Sequence, residues 1–230
     1  TSWNTELESS VFSYVIVIDS SRSMEAVDVI PSRIDAAKET ARKFVDATPI
    51  GTKIGILSFS GSVFVEQELS FDKVLAKQAI NNIRISSIGG TDLSEAIVAS
   101  VNALAGVDSK SVILLSDGQI NVGDLDDAIE YADKNNVLIH TIALGTEEGG
   151  LTSYGISKVD EDSLKAVAFG TAGEFFRVID ENQLSRSFES VLEFKKKKVS
   201  IDLTRIFIIL ALVLIVLEYF LVNGRYRIGP

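Results

Sequence analysis

Short β-branched apolar runs alternate with amphipathic stretches along most of the chain, and this alternation restricts the fold more than any other feature. The first run, Val11–Ile18, is nearly all apolar, which is typical of a strand buried on both faces. The stretch Ile34–Ala47 then carries apolar residues on one helical face. The alternation continues to about residue 194. It predicts an α/β fold that is Rossmann-like and doubly wound, with a mainly parallel sheet and helices on both faces.

The same pattern divides the chain into five parts. We expect a lead-in at 1–10, one α/β domain at 11–194, a basic juxtamembrane segment at 195–205, a transmembrane helix at 206–222 and a basic tail at 223–230. Residues 206–222 are apolar except for Glu218, and at about 1.5 Å per residue this run with its flanks crosses roughly 30 Å of hydrocarbon. A buried core helix is the alternative, although basic residues flank the run. Glu218 either reaches the membrane interface or contacts a partner membrane helix.

Composition excludes several classes of site. The chain has no Cys and a single His, so disulfide scaffolds, thiolate metal sites, cysteine nucleophiles and poly-His metal sites are excluded. That residue, His140, lies inside an apolar strand pattern, and we expect it to pack in the core. The formal net charge of −10 disfavours nucleic acid as a partner, because phosphate binding needs a basic surface.

Oxygen-bearing side chains follow the predicted strands and the Gly89-Gly90 break, in loops expected at one edge of the sheet. These residues are Asp19, Ser21, Ser23, Thr91 and Asp117. Doubly wound sheets bind ligands beyond the carboxyl ends of their strands, where strand order reverses. If the first and fourth strands are neighbours, two carboxylates and three hydroxyls converge there. Such a set of hard oxygen ligands suits Mg²⁺ or Mn²⁺ and is poor for Zn²⁺ or Cu²⁺.

Each of these residues also has an ordinary structural interpretation when it is taken alone. A Ser can cap a helix, and Asp92 with Glu95 forms a capping-box pattern that would make Thr91 a lead-in. Asp117-Gly118 is a common turn pair. The combination in this order is what indicates a metal site.

The five-residue pattern resembles the metal-ion-dependent adhesion site (MIDAS) of von Willebrand factor type A domains. The resemblance implies a Rossmann-like fold and a bound Mg²⁺, with Mn²⁺ or Ca²⁺ as alternatives. It implies that Ser21, Ser23 and Thr91 are direct ligands, and that Asp19 and Asp117 bind directly or through water. Arg22 replaces the Gly of many relatives, so it either points a cation at the mouth of the ligand site or faces solvent. Asp92 is the other residue expected at that mouth.

The wider layout resembles the prokaryotic Bat, or aerotolerance-type, proteins. The stretches Ile30–Lys38 and Thr141–Thr146 and the C-terminal membrane helix carry this resemblance. It implies association with sister von Willebrand A membrane proteins and with a MoxR-type AAA+ ATPase. It also implies an extracytoplasmic domain, whereas the basic residues before the span favour a cytoplasmic one. Because the chain starts at Thr1 without Met, we expect a further segment upstream.

Together these features predict a membrane protein that binds a protein partner through a divalent metal, with an Asp or Glu of the partner completing the coordination. Membrane lipid is a further contact expected for Lys195–Lys198. We expect no enzymatic activity. A metal-dependent hydrolase is one alternative, but a carboxylate nucleophile at Asp19 would want a second Asp at the position of Ser21, and no phosphate-binding loop is present. A structural anchor that assembles through its membrane helix is the other.

Overall fold

The computed structural model describes residues 13–119 and 124–177, together with five residues between 213 and 219. The first two ranges form a single α/β body. Its elements, in chain order, are β1 (Ser13–Asp19), a short 3₁₀ turn (Arg22–Glu25), α1 (Arg33–Ala47), β2 (Lys53–Phe59), β3 (Val63–Ser70), α2 (Lys73–Asn82), α3 (Leu93–Ala103), β4 (Lys110–Ser116), α4 (Leu125–Lys134), β5 (Leu138–Ala143), β6 (Gly150–Thr152), β7 (Gly155–Ser157), α5 (Glu161–Gly170) and β8 (Phe175–Arg177).

Six of these strands form one sheet in the order β3-β2-β1-β4-β5-β8. All neighbours are parallel except β2 and β3, which are antiparallel and place β3 at one edge. The chain leaves β1 toward β2 on one side and returns to β4 on the other, so the strand order reverses between β1 and β4. The predicted doubly wound, mainly parallel sheet is therefore confirmed.

Helices cover both faces of this sheet, because alternate residues of each strand point to opposite faces. From β1, Tyr14, Ile16 and Ile18 join a core with α1 and α2. Val15 and Val17 join a second core with α3, α4 and α5 on the other face. Each of the five described α-helices starts at a capping side chain that accepts a backbone N–H, as short polar residues at such positions do: Ser32, Asp72, Asp92, Asp124 and Asp160.

Two features of the body differ from the sequence pattern. The edge strand expected at Ser62–Val65 extends to Ser70, since its backbone continues to pair with β2 beyond the apolar residues. A small antiparallel hairpin of β6 and β7 stands outside the main sheet. The pattern does not predict this hairpin, because each of its strands has only three residues and includes a Gly.

The expected membrane span lies largely outside the described residues. Five of its residues are described as helical with exposed side chains: Val213, Leu214, Val216, Glu218 and Tyr219. They belong to a unit separate from the α/β body. Among the described residues, no helix has the length and apolar character needed to cross a membrane. The lead-in at 1–10, the basic segment at 195–205 and the tail at 223–230 also lie outside the described residues.

His140 lies in the core of the α/β body, as expected. Its side chain is almost fully buried in β5. The Nδ1 atom accepts the backbone N–H of Glu174 at 3.2 Å, and the ring stacks on Phe176. Burial lowers the pKa of His140 to about 4. The neutral imidazole is therefore the form that the folded state favours.

Acidification should destabilise the domain through this residue. In the unfolded chain His140 gains its proton near pH 6.5, whereas in the folded state its pKa is about 4. The unfolded state thus binds more protons between these values, so stability is lost as the pH falls from about 6.5 to 4, by about 3 kcal/mol at most. His140→Asn keeps an acceptor for the Glu174 N–H and cannot gain the charge. Urea unfolding at pH 7.5 and 4.5 should show a smaller loss for the variant, and equal losses would contradict this assignment.

Candidate functional site

The ends of β1 and β4 bring two carboxylates to the same edge of the sheet. Asp19 is the last residue of β1, and Asp117 directly follows β4. Because the two strands are adjacent and parallel, their carboxyl ends lie side by side. Both residues are fully buried. The predicted convergence of Asp19 and Asp117 is thus present in the structure.

Hydrogen bonds fix the carboxylate of Asp19. Its Oδ1 accepts the backbone N–H of Ser21 at 2.8 Å, and its Oδ2 accepts the hydroxyl of Ser116 at 2.6 Å. Burial, together with the nearby charge of Asp117, nevertheless raises the pKa of Asp19 to about 7. Burial also raises the pKa of Asp117. Two buried carboxylates that disfavour ionisation together indicate a place where a cation would be stabilising.

The three predicted hydroxyl residues lie in the loop after β1 and just before α3. The Oγ atoms of Ser21 and Ser23 are 2.9 Å apart, at the start of the short 3₁₀ turn that follows β1. Ser21, Ser23 and Thr91 all line one open cavity of about 320 Å³. Thr91 is nearly buried at its wall. The three predicted hydroxyl ligands therefore line one cavity, and the backbone N–H of Ser21 links its loop to Asp19 at the sheet edge.

A close approach of two loops sets the position of Thr91. A Cβ atom at Gly61 would overlap the carbonyl oxygen of Gly89, so the loop before Thr91 packs directly on the turn after β2. The backbone N–H of Asp92 donates to the carbonyl of Ser60 at 2.7 Å, which ties the two loops together. The carboxylate of Asp92 accepts the N–H of Glu95 and caps α3. Asp92 does not line the cavity.

Arg33 forms the most extensive polar contact at the site, and the sequence pattern does not single it out. Its guanidinium is fully buried. It donates to Asp117 Oδ2 at 2.7 Å, to both carboxylate oxygens of Asp28, and to the Oγ and carbonyl oxygen of Ser157. All five N–H groups are used. Asp28 in turn accepts the N–H and hydroxyl of Thr146. Burial raises the pKa of Asp28, but the bonds from Arg33 and Thr146 outweigh this effect and lower the pKa to about 2.

The charges of this cluster fit a divalent cation. Asp28 and Asp117 pair with Arg33, and Asp19 lies close to Asp117. When all three carboxylates are ionised, these four side chains carry a formal charge of −2. Uncompensated charge in a buried site is costly, and a dication would balance it. Among the described residues, no three His, Cys, Asp or Glu cluster as a metal site. A metal bound here would therefore rely on hydroxyl oxygens as ligands, which suits the hard ions Mg²⁺, Mn²⁺ and Ca²⁺.

The hairpin β6–β7 closes one side of the cavity, and Arg22 lies against it. The guanidinium of Arg22 lies over the ring of Tyr154, 4.8 Å from its centroid, and donates to the Tyr154 hydroxyl. It also donates to the carbonyl of Ser87 at 3.4 Å. Arg22 lines the cavity with Tyr154 and Ile156. Of the two sequence interpretations for Arg22, the structure favours the one at the cavity mouth.

Comparison with known proteins agrees with this geometry. The family model of the von Willebrand factor type A domain matches residues 14–119. Residues 14–119 are therefore similar to the von Willebrand factor type A (VWA) domain family. The match contains all five predicted ligand residues of the VWA domain, as well as Arg22, Asp28 and Arg33.

Similar sequences cover most of this chain. A UPF0353 protein of Nocardia farcinica is 29% identical over 206 residues, which is 78% of this chain and 62% of the relative. A UPF0353 protein of Mycolicibacterium gilvum is 29% identical over 199 residues, with 78% and 59% covered. The chain thus spans about three-fifths of the length of these curated relatives.

Solved structures share the fold. BatB from Bacteroides thetaiotaomicron superposes with a TM-score of 0.73 at 24% identity, over 80% of this chain and 99% of that chain. An aerotolerance-related membrane protein from Bacteroides fragilis gives a TM-score of 0.71 at 23% identity, over 80% and 98%. The expected resemblance to Bat-type VWA proteins is confirmed, and at these identities it is a resemblance of fold.

Loss of the Arg33 side chain should destabilise the VWA domain far more than loss of a surface arginine. Arg33→Met leaves Asp28 and Asp117 buried without their partner, and we expect it to cost about 3–5 kcal/mol. Arg33→Lys should recover only part of this, because an ammonium group cannot replace five donors in a planar fork. Urea unfolding of the full chain in mild detergent measures the effect.

Arg42→Met is the matched control. Arg42 pairs with Glu39 on the surface of α1, where both side chains are about a third to a half exposed. Such pairs contribute roughly 0–1 kcal/mol. Similar losses for Arg33→Met and Arg42→Met would show that the buried cluster does not hold the domain together.

Proposed function

We propose that this chain is a membrane-anchored VWA module that binds a protein partner through a divalent cation at the MIDAS. The observation that carries the proposal is the arrangement at the sheet edge. Ser21, Ser23 and Thr91 line one cavity, and the carboxylates of Asp19 and Asp117 are buried side by side at the adjacent ends of β1 and β4. The formal charge of the buried cluster matches a dication.

Mg²⁺ is the proposed ion, with Mn²⁺ or Ca²⁺ as alternatives. The hydroxyls of Ser21, Ser23 and Thr91 would hold it, and Asp19 and Asp117 would bind directly or through water. When bound, the ion would supply an electrophilic centre for a carboxylate oxygen. Ser116 and the Ser21 N–H orient Asp19, and Arg33 orients Asp117, so the chain fixes both carboxylates before any ligand arrives.

The proposed partner is a protein that offers an Asp or Glu side chain to this site. Sister VWA membrane proteins and a MoxR-type AAA+ ATPase are the candidate members of one membrane complex, on the basis of the Bat-type resemblance. Nucleic acid is not a proposed partner, given the acidic net charge of −10.

Binding rather than catalysis is proposed because none of the described residues that line the cavity is a His, Lys, Asp or Glu. His140 is packed in the core at the middle of β5, away from the cavity lining, and cannot serve as a general base there. A metal-dependent hydrolase, which would need such a group, is the weaker alternative.

Membrane anchoring is proposed from the apolar run at 206–222, whose length suits a single span. Lys195–Lys198 would contact anionic lipid headgroups, and Glu218 would lie at the interface or against a partner helix. We place the VWA domain on the extracytoplasmic side, with the cytoplasmic side as the alternative.

Charges placed inside the run should release the chain from membranes. We expect the full chain expressed in bacteria to stay in the pellet after alkaline carbonate washing. Leu212→Arg combined with Leu214→Arg should move it to the supernatant, because each arginine at the centre of a span costs about 3 kcal/mol. Val199→Arg, outside the run, is the control. Extraction of the unsubstituted chain by carbonate would contradict membrane anchoring.

Removal of the Thr91 hydroxyl tests the metal site directly. Thr91→Ala removes one proposed ligand at little cost to packing, and we expect Mg²⁺ affinity to fall at least about tenfold, which corresponds to 1.4 kcal/mol. Calorimetric titration of the full chain in mild detergent measures this. Asp117→Ala is less suitable, because it would leave Arg33 without an acceptor in a buried position.

Thr91→Ala should also lose the Mg²⁺-dependent binding of protein partners. Proteins that co-purify with the chain in Mg²⁺ and are absent in EDTA should also be absent from Thr91→Ala, as identified by mass spectrometry. Ser62→Ala is the control, since the Ser62 hydroxyl bonds only the neighbouring Gly61 carbonyl outside the cavity. Unchanged Mg²⁺ binding and unchanged partners in Thr91→Ala would overturn the metal-bridge proposal.

A further inference from the structure

The hairpin β6–β7 has two chemically different faces. Its cross-strand pairs alternate, with Gly150 opposite Ser157 and Leu151 opposite Ile156. Gly150 packs on Asp28, and Ser157 bonds Arg33, so this pair faces the body of the domain. Leu151 and Ile156 form an apolar pair on the opposite, outer face.

The outer face is largely open to solvent. Leu151 is 72% exposed and Ile156 is 68% exposed, and Tyr154 at the turn between them is 72% exposed. We call these three residues the recognition arm. A two-stranded hairpin is marginal in water on its own, and the bonds from Arg33 to Ser157 anchor this one. An apolar surface that is both exposed and anchored is typical of an interaction site.

The recognition arm is continuous with the proposed metal cavity. Ile156 and Tyr154 line that cavity together with Ser21, Ser23 and Thr91. A molecule that reaches the hydroxyls must therefore pass beside the arm. Two residues, Tyr154 and Ile156, therefore belong to both surfaces.

Charge at the cavity mouth indicates what kind of molecule this is. Arg22 donates to the Tyr154 hydroxyl and to the Ser87 carbonyl, and among the described residues it forms no ion pair with a carboxylate. Its positive charge lies beside the arm and is available to an incoming anion. The mouth therefore offers a cation next to an apolar surface.

We propose that the recognition arm selects, among acidic segments of a protein partner, those with apolar side chains within two or three residues of the Asp or Glu. The inference rests on the proposed function, since the acidic residue would occupy the metal cavity. Arg22 attracts the carboxylate, and the Leu151–Ile156 pair buries the flanking apolar side chain. A second copy of this chain is the less suitable occupant, because like charge on two such acidic chains opposes pairing.

Three fluorescent nonapeptides made otherwise of Gly and Ser provide the test. One has a central Asp with Leu two positions away on each side, one has the Asp with Ser at those positions, and one has Asn with the Leu flanks. Anisotropy against the full chain in mild detergent, in Mg²⁺ and in EDTA, gives the affinities. We expect the Asp peptide with Leu to bind at least about tenfold more tightly than the one with Ser, in Mg²⁺ only.

Variants assign this preference to the arm. Leu151→Ser combined with Ile156→Ser should reduce the preference for Leu to less than about threefold. Leu151→Ser alone lies outside the cavity, so it should reduce the preference without changing the affinity of the Ser-flanked Asp peptide. Ile50→Ser combined with Phe169→Ser alters two exposed apolar residues elsewhere and should leave the preference intact. Arg22→Gln should weaken both Asp peptides and keep the preference.

Different results would contradict the proposed role of the recognition arm and that of the metal site. Equal binding of the two Asp peptides in Mg²⁺ would contradict the role of the recognition arm but not that of the metal site. A preference for Leu that persists in the Leu151 and Ile156 double variant would do the same. If neither Asp peptide binds better in Mg²⁺ than in EDTA, or if neither binds better than the Asn peptide, both the metal site and the recognition arm are contradicted.

Discussion

The buried guanidinium of Arg33 joins the parts of this domain that the sheet alone does not hold together. It is the first residue of α1, and its five donors reach the end of β4 at Asp117, the loop residue Asp28 and the hairpin residue Ser157. The loop after β5 joins the same cluster through Thr146 and Asp28. Four segments that are distant in sequence therefore share one buried charge. An arginine fits this position because its fork of donors is rigid and always charged.

Burying Arg33 with three carboxylates costs electrostatic free energy, and this cost accounts for the raised pKa values at the site. Desolvation of buried charges opposes folding unless each is paired, and here the carboxylates outnumber the guanidinium. Burial raises the pKa values of Asp19 and Asp117, whereas Arg33 keeps that of Asp28 low. Among the described residues Asp19 has no ion-pair partner, and Asp117 shares Arg33 with Asp28, so the unbalanced negative charge lies at the ends of β1 and β4.

The sequence predicts the parts of the site that follow from strand periodicity. Asp19 and Asp117 come directly after apolar runs, and parallel strands place such residues at one edge, so their convergence follows from the fold class. Arg33 could not be predicted in the same way, because an arginine in the first turn of an amphipathic helix is usually exposed. Only the tertiary placement of Asp28 and Asp117 makes its burial favourable. The hairpin β6–β7 was missed because it is held by Arg33 and not by its own apolar pattern.

The ligand residues and the hairpin differ in how strongly the fold constrains them, which bears on partner specificity. The ligand residues depend on the central strands β1 and β4 and on close loop packing at Gly61, so that any chain with this sheet and these residues can build them. The hairpin sits between β5 and α5, outside the sheet, and its outward residues contribute nothing to the core. Leu151 and Ile156 can therefore vary without loss of fold, whereas Gly150 and Ser157 cannot. In the proposed function, an element anchored by one buried arginine, with an exposed outer face beside the cavity, would let the choice of partner change while the metal ligands stay the same.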